Sequence, residues 1–356
     1  DDAGNTSTVA TQTITLDNAA PSALTITTPI ETDSIVNAAE DEDVLIVGSG
    51  AENNASVTVT ITDNNSSVSR TVTADSSGNW TIAGSELDVS TFNNGTLTVS
   101  AIQTDEAGNT STAATQNIML DNAAPSAPSI STPIEIDNIV NASEDDSVLI
   151  SGSGAEANAS LTITIGSVSI QTTADSSGNW TIESNEIDIS ALNNGSLTVS
   201  VTQTDGAGNE SSSVTQDITL DNAAPSAPVI TTPIETDGII NAVEDEDVLI
   251  AGSGAEADNS VTVTITDNNN STVSRTITAD GSGNWTLSGS ELDVSGLNNG
   301  TLTVSATQTD DAGNTSTAAT QNITLDNQAP SALTITTPIE GDNQVNAAED
   351  NDVLIT

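Results

Sequence analysis

The chain is 356 residues long and carries 51 acidic residues against two arginines, Arg70 and Arg275, with no lysine, histidine or cysteine and a net charge of −49. This balance argues against nucleic acid and anionic membrane surfaces as partners. Missing thiols and imidazoles rule out disulfides and disfavour zinc, copper and nickel sites, and no apolar run approaches the roughly 20 residues that span a bilayer.

In chain order, Leu-Asp-Asn-Ala-Ala-Pro stands at Leu16–Pro21, Leu120–Pro125 and Leu220–Pro225, and Leu-Asp-Asn-Gln-Ala-Pro at Leu325–Pro330, giving periods of 104, 100 and 105 residues. Solenoid units run about 20 to 50 residues, so a repeat this long is a whole domain. Residues 1–20 read as the C-terminal end of a preceding repeat. Residues 21–124, 125–224 and 225–329 read as three complete repeats, and 330–356 as the N-terminal part of another. The chain is expected to be a piece of a longer protein, so the lack of a leader carries no meaning.

Within the first repeat, β-branched and polar residues alternate. Strands A to G are expected at Leu24–Thr27, Val44–Val47, Ser56–Ile61, Arg70–Thr73, Trp80–Ile82, Thr96–Ala101 and Ala114–Leu120. Period-2 patterning punctuated by Gly, Asn and Asp indicates an antiparallel sandwich, and seven strands in about 100 residues is the immunoglobulin-like count. The fold class is therefore all-β, with tandem immunoglobulin-like sandwiches arranged end to end. Trp80, Trp180 and Trp285 each follow Gly-Asn and read as core anchors. Asn94-Gly95, Asn194-Gly195 and Asn299-Gly300 read as tight turns without a chemical role. The second repeat is shorter because Gly166-Ser167 replaces the turn Thr62–Ser67.

Strands running alternately down and up place loops B–C, D–E and F–G at one end and loops A–B, C–D and E–F at the other. Acids then gather at the ends. The A–B loop holds Glu31, Asp33, Asn37, Glu40, Asp41 and Asp43, with counterparts Glu135, Asp137, Glu144 and Asp145, then Glu235, Asp237, Glu244 and Asp245, then Glu340 and Asp342. The B–C loop contributes Glu52, Glu156 and Glu256. The F–G loop contributes Asp105 and Asn109, Asp205 and Asn209, and Asp310 and Asn314. The linkers contribute Asp17 and Asn18, Asp121 and Asn122, Asp221 and Asn222, and Asp326 and Asn327.

Ca²⁺ takes six to eight oxygen ligands from carboxylates, amides, carbonyls and water, which these loops supply. Asp121 and Asn122 can bridge two domains when joined by Asp205 and Asn209, with Glu156 as a further donor. Two like charges about 5 Å apart repel by roughly 3 kcal/mol at an effective dielectric near 20, and a divalent ion reverses the sign. Neither an EF-hand spacing nor a Gly-Gly-x-Gly-x-Asp nonapeptide is present.

Asp105-Glu-Ala-Gly-Asn109-Thr-Ser, Leu120-Asp121-Asn122-Ala-Ala-Pro125 and Asp75-Ser-Ser-Gly-Asn-Trp80 resemble the calcium-dependent immunoglobulin-like extender repeats of giant type-I-secreted RTX adhesins, including ice-binding ones. The resemblance covers the whole chain. It implies a monomeric, calcium-stiffened rod at the bacterial cell surface, outside the cell, touching its neighbouring repeats rather than the membrane. It also implies linker ligands at Asp121, Asn122, Asp205 and their counterparts, and domain ligands at Glu31, Asp33, Glu40 and Asp41.

Two other readings compete. A directly adhesive module would bind glycan, ice or a sister chain, with Thr58-Val59-Thr60 as a suggestive pattern, although twisted sheets rarely offer a flat array. An enzyme using paired carboxylates is disfavoured by a chain with no His, Cys or Lys and by three tandem copies. No catalytic residue is assigned.

Overall fold

The computed structural model describes residues 1–82, 87–182, 187–289, 291–339, 343–345, 347, 353 and 355. The candidates Glu340 and Asp342 lie outside the described residues. Among the described residues there is no α-helix, and each repeat builds eight strands. In the first these are β1 (Thr25–Ile26), β2 (Ile35–Val36), β3 (Ile46–Ser49), β4 (Ser56–Thr62), β5 (Ser67–Thr73), β6 (Trp80–Ile82), β7 (Gly95–Thr104) and β8 (Ala114–Leu120). They form a three-stranded sheet of order β1-β3-β6 and a five-stranded sheet of order β2-β8-β7-β4-β5. The same orders recur over residues 129–220 and 229–326.

Predicted strands E and G coincide with β6 and β8. Strand F is longer than its alternation suggests, because β7 is paired on both sides, to β4 and β8, as far as Thr104 and Gly95. Strand A differs most. It is only β1, and Ile35–Val36, expected in the A–B loop, forms the separate strand β2 parallel to β8, with Ile35 opposite Met119 and Val36 opposite Leu120. Pro29 lies between the two; lacking an N–H, it cannot extend a ladder, and the chain changes sheets there.

The alternation sets the core. Val57, Val59 and Ile61 are fully buried while Thr58, Thr60 and Thr62 face outward half-exposed, as expected for a sheet covered on one face. Trp80 is buried against Gly48, where an added Cβ would lie 2.1 Å from the indole. The same fit joins Trp180 to Gly152 and Trp285 to Gly252, so the tryptophans anchor the core.

By compactness the chain divides into two units, residues 1–139 with 146–219, and residues 140–145 with 220–356. The first contains the core of Val36, Val57, Trp80, Leu97 and Leu120, and the second that of Ile240, Val261, Trp285, Leu302 and Leu325.

Hydrogen bonds collect the loops as the strand order requires. Ala51 N–H donates to the Gly78 carbonyl at 3.1 Å and Glu52 N–H to Gln103 Oε1 at 2.8 Å, gathering loops B–C, D–E and F–G. At the other end, Val89 N–H donates to the Asp41 carbonyl at 2.7 Å. Asp63, in the β4–β5 turn, accepts from the N–H groups of Asn65 and Ser66 and from Asn93 Nδ2 at 3.1 Å. In the second repeat Gly166 and Ser167 replace this turn, and a Cβ added at Gly166 would lie 3.2 Å from Leu192.

Backbone hydrogen bonds from Ser66 and Asn65, with Asn93 adding to them, hold the Asp63 carboxyl down to about 2. Because the folded value lies below the ordinary 3.8, this contribution is present above about pH 4 and is lost as pH falls through about 2. The melting temperature of wild type should therefore fall between pH 4 and 2 more steeply than that of Asp63→Asn, whose amide does not titrate; parallel curves would contradict the assignment.

Candidate metal centre

Each F–G loop is closed by its own aspartate. Asp205 Oδ1 accepts from the N–H groups of Ala207 and Asn209, both at 2.9 Å, and Oδ2 accepts from Asn209 Nδ2 at 3.0 Å. Burial opposes ionisation of Asp205, but the bonds from the Asn209 side chain and backbone outweigh it and hold the carboxyl below its ordinary value. Asp105 is lowered in the same direction, chiefly by the Asn109 side chain. Asp310 and Asn314 repeat the geometry.

The asparagine of this turn also reaches the preceding repeat. Within the first compact unit, Asn209 Nδ2 donates to the Asp121 carbonyl at 2.8 Å, and its Oδ1 accepts from Ala38 N–H at 2.9 Å. Asn37 Nδ2 donates to the Ala207 carbonyl at 3.1 Å. Within the second, Asn314 does the same with the Asp221 carbonyl and Ala142 N–H, both at 2.8 Å. Asn209 and Asn314 are 4% and 5% exposed. Asn109 touches the Asp17 carbonyl at 3.3 Å and is half-buried. Asp17 otherwise receives Ala19 N–H at 3.1 Å, and Asn18 is exposed.

At the other end, most A–B carboxylates bind their own loop. Glu40, Glu144 and Glu244 accept from the N–H groups of Asn37, Asn141 and Asn241. Asp33, Asp137 and Asp237 accept from Ile35, Ile139 and Ile239. Glu31, Glu135 and Glu235 accept from Leu45, Leu149 and Leu249 at 2.5, 2.6 and 2.7 Å. All three glutamates hold positive φ, 49°, 44° and 50°, a conformation that costs energy in a non-glycine residue and concentrates at functional positions. Burial pushes the Glu31 carboxyl up; Leu45 N–H opposes it, and the charges of Glu40, Asp43 and Asp33 add to the push.

One acid in each loop is buried. Asp41, Asp145 and Asp245 are 6%, 7% and 6% exposed, whereas Glu42 and Asp43 beside the first are exposed. Each buried carboxylate receives one side-chain hydrogen bond among the described residues, from Asn122 Nδ2 at 2.7 Å, Asn222 Nδ2 at 2.7 Å and Asn327 Nδ2 at 2.9 Å. An ionised carboxylate has room for about four. No basic side chain reaches them, since Arg70 and Arg275 sit exposed in mid-strand opposite Val59 and Val263.

Acids also meet around cavities. One of about 490 Å³ is lined by Asp221, Glu256, Asp310 and Asp311 with Asn259 and the linker residues 223–226. Another, of about 450 Å³, is lined by Glu52, Asp105 and Glu106 with Asn53 and Asn54. Among the described residues no three carboxylates converge closely enough to hold a metal by themselves. What the fold assembles is one or two carboxylates with amide and backbone oxygens, a hard, thiolate-free donor set.

Sequence reading passed over Asp311 and Glu106, which line these cavities, and Asn94. Asn94 Nδ2 donates to Asp121 Oδ1 at 3.0 Å and its Oδ1 accepts from Asn122 N–H at 3.3 Å, so the tight turn grips the linker. The signal was the Asn-Asn-Gly triplet in every repeat.

A bacterial Ig-like domain profile matches this chain three times, over residues 24–122, 126–222 and 231–327. The chain belongs to the bacterial Ig-like domain family. Solved structures similar to these Ig-like repeats include part of a 1.5-MDa bacterial ice-binding adhesin, described for host cell surface retention, at 26% identity over 87% of this chain and 100% of that one (TM-score 0.38). Another is a Ca²⁺-stabilised adhesin with which an Antarctic bacterium reaches out and binds ice, at 25% identity over 93% of this chain and 80% of that one (TM-score 0.43). A third is a tetra-tandem repeat from the extending region of a large adhesion protein, at 26% identity over 85% and 74% (TM-score 0.25). No curated protein matches.

The three Ig-like repeats offer an internal control for the asparagine contact. Asn209→Ala removes both contacts to the preceding repeat and strands two backbone groups, at a cost of about 1–3 kcal/mol. Asn109→Ala loses the same bonds to its own loop but only one outward contact, so its effect on urea unfolding should be smaller. Equal losses from the two variants would show that the bridging bonds contribute nothing.

Proposed function

We propose that this segment is a structural extender in the stalk of a bacterial cell-surface adhesin, outside the cell, in which calcium bound at the acidic loops and linkers folds and stiffens the tandem domains. The observation that carries this reading is the repeated placement of Asp41, Asp145 and Asp245, residues 6–7% exposed whose carboxylates each take one side-chain hydrogen bond, in a chain with two distant bases. Burying an unpaired charge is costly unless a counter-charge or full hydrogen bonding compensates it. A cation supplies both charge and coordination.

The donors fit calcium better than softer metals, because all are oxygens on several flexible loops. One or two of Asp221, Glu256, Asp310 and Asp311, with Asn259 and linker carbonyls, would hold an ion where a linker meets the next repeat, and one or two of Glu52, Asp105 and Glu106, with Asn53 and Asn54, would do so in the first repeat. Glu31, Asp33, Glu40, Asp41 and Asp43, with Asn37 and Asn122, would supply the opposite end. When bound, the ion would cancel the repulsion that adds to the burial raising Glu31 and tie loops that otherwise push apart. One of the similar adhesins is described as Ca²⁺-stabilised.

The outward threonines favour a structural role over an adhesive one. Thr58 pairs with Thr71 at 2.9 Å, Thr60 with Ser69 at 2.7 Å and Thr262 with Thr276 at 2.9 Å. Their hydroxyls are spent on one another across the strands, an ordinary cross-strand stabilisation.

An ion at 100 times its dissociation constant adds about 2.7 kcal/mol per site, which for a domain of about 100 residues raises the melting temperature by more than about 10 °C. Melting in chelator and in millimolar calcium should differ by at least this much, with magnesium less effective. Superimposable melts would sink the proposal.

A further inference from the structure

We propose that Asn94, Asn194 and Asn299 are sites of self-promoted deamidation, in which the adjoining linker assists the reaction and is loosened by it. The chain contains three Asn-Gly steps, and they are these. Asn94, Asn194 and Asn299 are exposed. Gly95 lies at φ 134° with no atom within 4 Å of its Cβ position, and Gly195 is the same at φ 130°. Gly95 and Gly195 each open a strand, Gly95 opposite Leu120, so the glycine nitrogen reaches the preceding carboxamide when that end of the ladder frays, and no Cβ of its own hinders the approach.

The surroundings supply the remaining parts of the chemistry. Asn122 N–H points at Asn94 Oδ1 from 3.3 Å, where negative charge develops when the Gly95 nitrogen adds to Cγ. Asp121 Oδ1 accepts from Asn94 Nδ2, the leaving nitrogen, at 3.0 Å, within reach to carry a proton. In the third repeat Asn327 N–H addresses Asn299 Oδ1 at the same 3.3 Å.

The step balances with water alone. The Gly95 nitrogen bonds to Asn94 Cγ, and its proton passes through the Asp121 carboxylate to Nδ2. The Cγ–Nδ2 bond breaks, and ammonia leaves. Water then opens the succinimide to aspartate or isoaspartate. Nothing is oxidised or reduced.

The product matters for the linker. A carboxylate at position 94 no longer donates to Asp121 and stands beside it as a like charge. The amide that held Asp121 and Asn122 becomes a source of repulsion at the point where the chain leaves the repeat.

The test is ageing of the whole chain in mildly alkaline, calcium-free buffer, followed by peptide mapping by mass spectrometry and by melting. Amide loss should appear first at Asn94, Asn194 and Asn299, ahead of exposed asparagines such as Asn53, together with a lower melting temperature. Asp121→Asn should slow the loss at Asn94 by about 100-fold relative to Asn299 in the same molecule. The variant Asn94→Asp should melt below wild type, as the aged protein does. Retained amides at the three positions would overturn the proposal. A rate ratio between Asn94 and Asn299 unchanged by Asp121→Asn would overturn the part given to the linker, and aged protein melting like fresh protein would overturn the loosening.

Discussion

A carboxylate buried at the end of a β-sandwich, with one amide to hold it and no base in reach, is the constraint around which each repeat is organised. Asp41, Asp145 and Asp245 occupy that place in successive repeats. Most proteins pair such a group with arginine or lysine. This chain has two arginines, and both lie on exposed outer strands. Under the proposed function, compensation comes from cations in solution, which would make the ionic composition outside the cell part of the folding equilibrium. A protein without disulfides and with no base near these carboxylates would stay pliable until cations fill its loops.

Around that constraint the sandwich acts as a positioning frame. Alternating valine, isoleucine and threonine fix which way each strand faces, and tryptophan packed on the glycine opposite it ties neighbouring strands of the smaller sheet. Loops from distant parts of the sequence then meet at the ends of each repeat. The side chain of Gln103 shows the economy of the arrangement, accepting from Glu52 N–H and donating to the Ser22 carbonyl at 2.7 Å, so that one buried amide joins the linker to two loops. Asn209 and Asn314 extend the same logic to the preceding repeat. Direct hydrogen bonds and the proposed cations would thus address the same junction by different means, one fixed in the sequence and the other variable with the medium.

Much of the fold was legible because its signals are local and repeated. The strands at Trp80–Ile82 and Ala114–Leu120 follow from alternation bounded by turn residues, and the grouping of loops follows from strand order alone. Strand Ile35–Val36 was not legible, since two residues carry no period and its partner Met119–Leu120 is more than 80 positions away. The candidate site was legible as composition but not as geometry. Glu40, Asp41, Glu42 and Asp43 look alike in the sequence, yet only Asp41 is buried, because the loop folds its backbone under Val89. Asn94 was read as a turn residue because turn chemistry explains it fully; its grip on Asp121 depends on a contact 27 residues away.

The central claim is that cations, rather than side chains, neutralise the ends of these domains and thereby stiffen their connections. Small-angle scattering of the chain in chelator and in millimolar calcium tests it most directly. A change from a broad distribution of interdomain distances to a straight rod of about three to four domain lengths, each spanning roughly 30–40 Å, is the expected result. Identical scattering profiles in the two conditions would contradict it and leave the acids as a solvated surface.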